Sequence, residues 1–487
     1  MEPISRVLDI DPVHDLGAYE AGGGGDALRV AVEGGSDAVL AVVEASGLRG
    51  RGGAGFPTVT KWRSVLEHRS DELAPTVVVN AAEGEPGSFK DRAIIAANPY
   101  RVLEGALIAA LTIGAHDVVV ATKARFSTEV DRLRSAAAEL TAAGWAPGVS
   151  ISVVEGPEEY LYGEETALLE VVEGRLPFPR IAPPWRRGVD EADDEVEASA
   201  TDANPTDAVS APALVNNVET LANVALIVAN GPEWFRQLGT AESPGTIVCT
   251  ITGHLQRCGV LEVPMGTPLR AVVEQVGGEP LVGEITAAMS GVSNPLLPAS
   301  LLDTPLTYEA MAEAGCGLGT GGFIVFDSSV DPVAVAHGVS RFLAVESCGQ
   351  CTPCKQDGRA LSDALDRLRS GTGEGDELVT VEDRLQTIEL GARCFLATQH
   401  QRVVASLLAL FPEAFVGHAE GRVDATEPYL IAELEGFVDG PDGVQAVYDE
   451  RHRDKQPDWT YDAEDSGQSP ADRLDQDQSE VERESDR

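Results

Sequence analysis

Hydrophobic spacing in the first half of the chain predicts alternating helices and strands. Apolar residues at helical intervals predict helices over residues 36–48, 58–70, 99–113, 127–143 and 164–174. Short runs rich in valine and isoleucine predict strands over residues 76–80, 116–122 and 149–156. Strands that alternate with helices at this spacing form βαβ units, so the pattern predicts an α/β fold around a parallel sheet.

The pattern changes twice further along the chain. Residues 245–330 contain short apolar runs typical of a small β-rich domain, with one helix over 268–277. Residues 331–436 have mostly helical spacing. The chain is long enough for about three domains, and we predict them over residues 29–240, 245–330 and 331–436.

Three polar segments fall outside this pattern. Residues 1–28 are a polar lead-in, and residues 189–210 are an acidic insertion into the first domain. The composition of residues 440–487 predicts a disordered acidic tail. We find neither a stretch long and apolar enough to span a membrane nor the features of a signal peptide, so we expect a cytoplasmic protein.

The charge balance narrows the classes of partner. The 487 residues include 79 acidic and 36 basic residues, a net charge of −43, and only five of the basic residues are lysine. This charge disfavours binding to nucleic acid and to anionic membranes. Acidic residues occur along the whole chain rather than in tails alone, which indicates a halophilic source in which salt screens the self-repulsion.

The segment ESCGQCTPCKQDG places Cys348, Cys351 and Cys354 three residues apart. Three cysteines in a row with a fourth elsewhere are typical of [4Fe–4S] clusters, whereas zinc sites more often use separated pairs. Cys394 is the natural fourth ligand; His400 could replace it, although thiolate suits iron–sulfur chemistry better. The spacing favours a cluster and leaves zinc as the alternative. An odd total of seven cysteines without an export signal argues against disulfides.

The segment GRGGAGFP (residues 50–57) matches the dinucleotide-binding pattern only formally, because it follows a predicted helix and not a strand. We interpret it as a loop whose backbone N–H groups approach a phosphate or a flavin, with Lys61 adding positive charge. A plain glycine hinge is the alternative.

Two further loops place carboxylates where predicted strands end. These are Glu83 and Glu85 in one loop, and Glu164 and Glu165 in the other. Ligands bind at the carboxyl ends of parallel strands, where carboxylates can accept hydrogen bonds from hydroxyl groups and from a carboxamide. In so acidic a chain, solvated surface charge is the simpler interpretation of each.

Five motifs together resemble one family, the flavin-carrying, NADH-oxidising subunit of respiratory complex I. They are SGLRGRGGAGFPT with KW (46–62), NAAEGEPGSFKDR (80–92), YGEETALLEVVEG (162–174), LVNNVETLANV (214–224) and the cysteine segment (346–358), and they occur in the family's order. The resemblance covers residues 36–430. Similar subunits serve as the diaphorase of NAD-reducing hydrogenases and of NAD-dependent formate dehydrogenases.

The resemblance implies a Rossmann-like FMN-binding domain, a ubiquitin-like β-grasp domain and a helical bundle with one [4Fe–4S] cluster. It places FMN against Gly50, Gly52, Gly53, Lys61, Asn80, Glu83, Tyr160, Gly163, Glu164, Asn216, Asn217 and Thr220. It places NADH against Phe56, Glu85 and Glu165, and it makes Cys348, Cys351, Cys354 and Cys394 the cluster ligands.

The resemblance also implies the reaction. NADH passes a hydride to the flavin, and single electrons then leave through the cluster to partner subunits, one of them a thioredoxin-like [2Fe–2S] protein. The cofactors carry the chemistry, so no catalytic side chain is expected. Attachment to a membrane would come through partner subunits. The alternatives are a diaphorase subunit of a hydrogenase or formate dehydrogenase, and a non-catalytic scaffold that keeps the cluster.

The chain departs from the family pattern at four places. Ala82 stands where an aspartate is usual, and Ser64 where an aromatic residue is frequent. CFLATQ follows the fourth cysteine position in place of CALGD, and SGVSNP (290–295) is a loose match to a glycine–serine loop. Ala82 removes an expected acidic contact with the flavin, which motivates the scaffold alternative.

Overall fold

The computed structural model describes residues 4–70, 73–145, 147–189, 210–373, 375–440, 443–457 and 459. The predicted acidic insertion lies almost wholly outside the described residues, as does the predicted tail beyond residue 459.

The first unit is a parallel sheet covered by helices. Its strands are β1 (Thr76–Ala81), β2 (Asp117–Lys123), β3 (Ser150–Gly156) and β4 (Ala213–Asn217). Its helices are α1 (Leu16–Ala21), α2 (Asp26–Ser46), α3 (Thr58–His68), α4 (Lys90–Ala97), α5 (Pro99–Ile113), α6 (Ser127–Ala142), α7 (Glu165–Val172), α8 (Val218–Asn230) and α9 (Pro232–Phe235). The predicted mixed α/β fold with a parallel sheet is confirmed.

Strand β1 pairs with β2 on one side and β4 on the other, and both of its faces are buried. Val77 and Val79 belong to the core on one face, and Val78 belongs to the core on the other. Helix α5 packs against α2 and α8, and a Cβ on Gly105 would stand 2.0 Å from the carbonyl oxygen of Leu221. A glycine therefore allows this close approach of two helices.

The strand order is β3-β2-β1-β4, and each neighbouring pair is parallel. The chain thus runs outward from β1 to β3 and then returns to the other side of β1. The carboxyl ends of β1 and β4 therefore form a topological switch point, the place where open α/β sheets bind ligands.

The N-terminal segment is more structured than its polar composition predicts. Helix α1 and the start of α2 lie within the predicted lead-in, and Val7 is fully buried. The Glu262 carboxylate accepts hydrogen bonds from the backbone N–H groups of Arg6, Val7 and Leu8 (2.8–3.0 Å). A partner more than 250 positions away holds this segment, so local composition could not reveal its order.

The second unit is a mixed sheet in the order β6-β5-β9-β7-β8. Its elements are β5 (Thr246–Gly253), β6 (Gly259–Pro264), α10 (Leu269–Val276), β7 (Ile285–Ser290), β8 (Leu297–Pro298), α11 (Tyr308–Glu313) and β9 (Gly322–Asp327). Strands β5 and β9 are parallel, whereas the other pairs are antiparallel. The sequence pattern predicted α10 and missed the short α11.

The third unit is helical and ends in a hairpin. Its helices are α12 (Pro332–Val345), α13 (Thr352–Ser370), α14 (Glu377–Leu385), α15 (Leu396–Leu410) and α16 (Pro412–Ala419). The hairpin strands are β10 (Leu434–Gly440) and β11 (Gly443–Tyr448). The predicted disordered tail is therefore wrong for residues 443–457, where polar side chains pair with distant charges, as Asp449 does with Arg125 (2.7 Å).

Candidate functional site

Asparagine side chains mark the carboxyl ends of β1 and β4 at the switch point. Asn80 Nδ2 donates to the carbonyl oxygen of Gly163 (2.8 Å), and Asn216 Oδ1 accepts from Trp62 Nε1 (2.8 Å). Asn217 caps the N-terminus of α8. These bonds fix α3, the loop before α7 and the start of α8 around one edge of the sheet.

The glycine-rich loop is anchored to the same edge. The Arg51 N–H donates to Thr220 Oγ1 (2.8 Å), and the Tyr308 hydroxyl donates to the Gly50 carbonyl (2.8 Å). The Arg51 guanidinium is buried, and its Nε has no hydrogen-bond partner among the described residues. Both the first and the second unit therefore hold this loop, which argues against a free hinge.

Because its glycines have no side chain, the loop can come close to the start of α8. A Cβ on Gly52 would stand 3.3 Å from the Cβ of Asn217. Gly53 has a φ of +117°, which residues with a side chain rarely adopt. The loop thus forms a cradle of backbone that a Cβ would narrow, which fits the predicted close approach to a phosphate or flavin.

A cluster of buried charges lies beside this cradle, and the sequence analysis missed it. The fully buried Lys90 Nζ is 2.6 Å from Asp91 Oδ1 and 3.1 Å from Glu219 Oε2, and it donates to Asn217 Oδ1 (3.2 Å). Burial lowers the pKa of Lys90, but the neighbouring carboxylates outweigh burial and raise that pKa above its ordinary value. The sequence shows that lysine is rare in this chain, which makes each lysine notable. The sequence does not show that the Lys90 side chain is buried.

Glu83 holds the start of α4. Its carboxylate accepts hydrogen bonds from the Ser88 hydroxyl (2.6 Å) and from the backbone N–H groups of Asp91 and Arg92 (3.2 Å each). Burial and the charge of Asp91 raise the pKa of Glu83 to about 7. This glutamate is therefore a structural anchor at the switch point and not a solvated surface charge.

Glu85 connects three parts of the chain. Its carboxylate accepts hydrogen bonds from the Tyr160 hydroxyl (2.6 Å), from the backbone N–H of Val292 (2.6 Å) and from the Ser293 hydroxyl. Burial raises the pKa of Glu85. The segment SGVSNP thus faces the loop that follows β1, as expected for a segment that contributes to the same site.

The two glutamates at the start of α7, Glu164 as its N-cap and Glu165 as its first residue, have different surroundings. Glu164 caps α7 by accepting from the N–H groups of Thr166 and Ala167, and burial raises its pKa. Glu165 is 43% exposed and pairs with Lys61 Nζ (2.8 Å). Lys61 therefore faces a carboxylate across the site, and Glu165 is open to a ligand from solvent.

Phe56 is half exposed at the end of the glycine-rich loop. The structure therefore leaves the ring of Phe56 available for stacking.

The four predicted ligand cysteines line one small cavity, together with Leu161 and Pro179. Cys351 is the residue that precedes α13, Cys354 lies in its first turn, and Cys394 lies two residues before α15. Among the described residues no group of three or more His, Cys, Asp or Glu side chains is placed to hold a single metal ion.

Burial raises the pKa of Cys354 and of Cys394 to about 12. Holding these sulfurs as thiolates therefore requires nearby positive charge, which the irons of a cluster supply. His400, the alternative ligand, points elsewhere: its Nε2 is 2.6 Å from Ser340 Oγ, and burial lowers its pKa to about 3. The donor set fits an iron–sulfur cluster.

The family departures have simple structural counterparts. Ala82 is buried and packs in a core with Val78 and Tyr162, so apolar contacts occupy its place. Ser64 is partly exposed, and its hydroxyl donates to the Thr60 carbonyl (3.1 Å). Phe395, next to Cys394, is half exposed with the Arg402 guanidinium over its ring.

Comparison with known proteins assigns the regions built above. Residues 43–226 match the Nuo51 FMN-binding domain, and residues 334–418 match the NADH-ubiquinone oxidoreductase-F iron–sulfur binding region. Residues 248–286 match the SLBB domain. The chain is 36% identical over 434 residues to the F 2 subunit of NADH-quinone oxidoreductase from Rhizobium meliloti (strain 1021), covering 86% of this chain and 98% of that protein.

The chain belongs to the family of NADH-quinone oxidoreductase F subunits. A second member, from Mycobacterium tuberculosis (strain ATCC 25618 / H37Rv), is 35% identical, and the match covers 82% of this chain and 88% of that protein. The fold resembles a chain of the NAD+-reducing [NiFe]-hydrogenase in the H2-reduced state, with a TM-score of 0.72 and 32% identity over 86% of this chain. This chain spans 66% of that hydrogenase chain.

Family membership makes this chain part of an oxidoreductase, with an FMN-binding domain and a [4Fe–4S]-binding region. The predicted complex I resemblance, enzyme class and cofactors are confirmed, and zinc is not the metal that the family's cysteine region binds. Among the described helices none is by itself long and apolar enough to cross a membrane, although two bent helix pairs pass that test together.

Proposed function

We propose that this chain oxidises NADH at an FMN held in the first unit and sends the electrons out through a [4Fe–4S] cluster in the third. One observation carries the proposal: the turn over residues 160–163 touches both candidate sites. The Tyr160 hydroxyl donates to Glu85 beside the switch point, while the adjacent Leu161 lines the cysteine cavity. Two redox centres at these sites would be neighbours.

FMN supplies the hydride acceptor for NADH, and the cluster supplies the one-electron carrier. The chain binds and orients these groups, and no side-chain acid or base is required. We assign flavin binding to the residues of the switch-point edge: Gly50, Gly52, Gly53, Lys61, Asn80, Glu83, Tyr160, Gly163, Glu164, Asn216, Asn217 and Thr220. The cradle geometry and the hydrogen bonds of this edge support the assignment.

We assign NADH binding to Phe56, Glu85 and Glu165. The exposed ring of Phe56 can stack on a planar ring of the nucleotide. Glu165 can accept a hydrogen bond from the nucleotide on its open side. The Glu85 carboxylate accepts hydrogen bonds from the Tyr160 and Ser293 hydroxyls. In this assignment Glu85 therefore both contacts the ligand and holds the two segments that carry Tyr160 and Ser293.

The cluster ligands in this proposal are Cys348, Cys351, Cys354 and Cys394, because all four line one cavity. We further assign a β-grasp fold to the second unit. Its helix α10 lies between the hairpin β5–β6 and the later strands, and its central strands β5 and β9 are parallel. The SLBB match falls within this unit.

We also propose that the chain works inside a larger assembly, with a thioredoxin-like [2Fe–2S] protein as one partner. The names of its relatives support this proposal, since they describe subunits. A cytoplasmic location, with any membrane contact made through partners, agrees with the net charge of −43, which also agrees with a halophilic source.

Purified full-length protein, prepared anaerobically in molar salt, tests the proposal. We expect one FMN and four irons per chain, and NADH-dependent reduction of ferricyanide that is faster than the NADPH-dependent rate. A chain that binds the cluster without FMN would support the scaffold alternative and refute the NADH proposal.

The diaphorase role in a hydrogenase-type enzyme is a second candidate. The TM-score of 0.72 to a chain of the NAD+-reducing [NiFe]-hydrogenase favours it. Purification of the tagged chain from its own cells in high salt separates the two candidates: a copurifying nickel–iron protein would support the diaphorase role, and quinone-linked membrane proteins would support the complex I role.

A further inference from the structure

The C-terminal residues 443–457 and 459 cross the loop that carries the three clustered cysteines. Strand β11 pairs with β10, and the Val444 carbonyl accepts from the Cys258 N–H of the second unit (2.7 Å). The Asp449 N–H donates to the Glu433 carbonyl (3.0 Å). The segment is thus fixed at its start, and its end lies on the helical unit. We call residues 443–457 together with Trp459 the strap.

The strap first contacts Glu346, which lies two positions before Cys348. The Glu346 carboxylate lies 2.8 Å from Lys455 Nζ and 3.2 Å from His452 Nε2. Its second oxygen accepts from the backbone N–H of Tyr160 (2.8 Å). Glu346 is buried, so these contacts are shielded from solvent and fix the start of the cysteine loop to the turn that borders the flavin site.

The strap then covers the cysteine loop with Trp459. The indole is buried, and its Nε1 donates to the Ser347 carbonyl (3.0 Å). Lys355 Nζ lies 4.4 Å from the ring centroid, and the Arg359 guanidinium lies 5.6 Å from it. Trp459 therefore holds the Ser347 backbone and lies beside two cations of α13, the helix in which Cys354 lies.

Ser347 links Trp459 to one of the predicted cluster ligands, Cys354. Its hydroxyl is 3.3 Å from Cys354 Sγ, and it accepts from the Gly349 N–H (3.3 Å). A cluster thiolate can only accept, so Ser347 would donate to it. Hydrogen bonds to sulfur, nearby charge and solvent exposure are the quantities through which a protein sets the potential and stability of an iron–sulfur cluster.

We propose that the strap, acting through Trp459, is a positioning device that shields the cluster and sets its reduction potential. This inference rests on the proposed cluster site and goes beyond it, because the strap contributes no ligand. Trp459 acts through Ser347, Lys355 and Arg359, which makes it a positioning residue and not a catalytic one.

The test compares W459A and W459F in the full-length, cluster-loaded chain. We expect W459A to lose iron to a chelator at least threefold faster than wild type, because water reaches the loop. We also expect its cluster potential to differ from that of wild type, because W459A admits water to the loop and releases Lys355 and Arg359 from the ring. W459F keeps the ring over Lys355 and should restore most of the chelator resistance.

W234F is the matched control, since Trp234 likewise lies under a cation, Arg6 at 4.0 Å, but belongs to the first unit. Chelator and potential values for W459A that equal those of W234F would overturn the proposal. FMN content and the NADH–ferricyanide rate report the flavin site separately. Their absence would refute the proposed NADH reaction and leave the cluster measurements valid.

Discussion

The buried Lys90 cluster yields the sharpest prediction about how the flavin edge is held. The variant Lys90→Met removes the ammonium but keeps an unbranched side chain of similar length. It leaves Asp91 and Glu219, whose side chains are 7% and 0% exposed, without their cation. Removing one partner of a buried ion pair costs about 3–5 kcal/mol, a large part of a typical domain's stability of about 5–15 kcal/mol.

Lys61→Met is the matched control, because Lys61 is also a lysine of this edge with a carboxylate partner. Its partner Glu165 is 43% exposed, and such pairs contribute below about 1 kcal/mol. Molar salt screens the exposed pair and affects the buried one little, so the difference between the two variants should persist in high salt.

Hydrogen exchange followed by mass spectrometry measures this difference locally, in a protein of several units. We expect amides of β1 and β4 to exchange roughly 10²- to 10⁴-fold faster in K90M, from about 3–5 kcal/mol at 1.36 kcal/mol per tenfold. The double variant K90M/E219Q should recover part of the loss, because it removes one unpaired charge. Equal exchange in K90M and K61M would refute the reasoning.

Three further predictions concern the site residues. Cys394→Ser should abolish the cluster while FMN stays bound, whereas the control Cys316→Ser should keep both the cluster and FMN. Iron content and visible spectra measure the two cofactors. A cluster retained in Cys394→Ser would contradict the ligand assignment. The pKa of Glu83, raised to about 7 from an ordinary 4.5, means that its contribution to stability is complete below pH 4.5 and is lost as the pH rises to about 7. Glu83→Gln should therefore flatten the pH dependence of thermal unfolding in that window, and an unchanged slope would refute the assigned pKa. Phe56→Ala should raise KM for NADH about fivefold with little change in kcat, from about 1 kcal/mol of lost ring stacking, and a normal KM would remove Phe56 from the nucleotide site.

The sequence predicted those helices and strands whose position depends mainly on residues close together in the chain. Helix α5 coincides with the predicted 99–113, because the segment between Pro99 and Gly114 is mostly apolar and these two residues mark its ends. The valine run of β1 was equally clear, since β-branched residues buried on both faces are typical of a central parallel strand.

Long-range pairing explains what the sequence analysis missed. The strap is polar, and its order depends on contacts such as those of Lys455 and Trp459 with residues more than 100 positions away. The burial of Lys90 depends on Glu219, from another helix. Composition predicts exposure for such residues, and only the fold reveals the partners that make burial possible.

The candidate site shows the same division. Spacing grouped three cysteines, the sequence predicted Cys394 as the fourth ligand, and the structure places all four along one cavity. The sequence also placed Glu83 and Glu85 at a strand end, but it could not show that Ser88 and Tyr160 already hold these carboxylates. The hydrogen-bond partners of Glu83 and Glu85 depend on the folded structure and cannot be derived from the sequence motif that contains them.

Anaerobic titration of the full-length chain with NADH, followed by visible and electron paramagnetic resonance spectra, tests the central claim most directly. The account predicts that NADH bleaches the flavin bands and that a reduced [4Fe–4S] signal appears in the same sample, while C394S shows the bleaching alone. Reduction of the cluster without a flavin change, or a colourless protein that binds zinc, would contradict it.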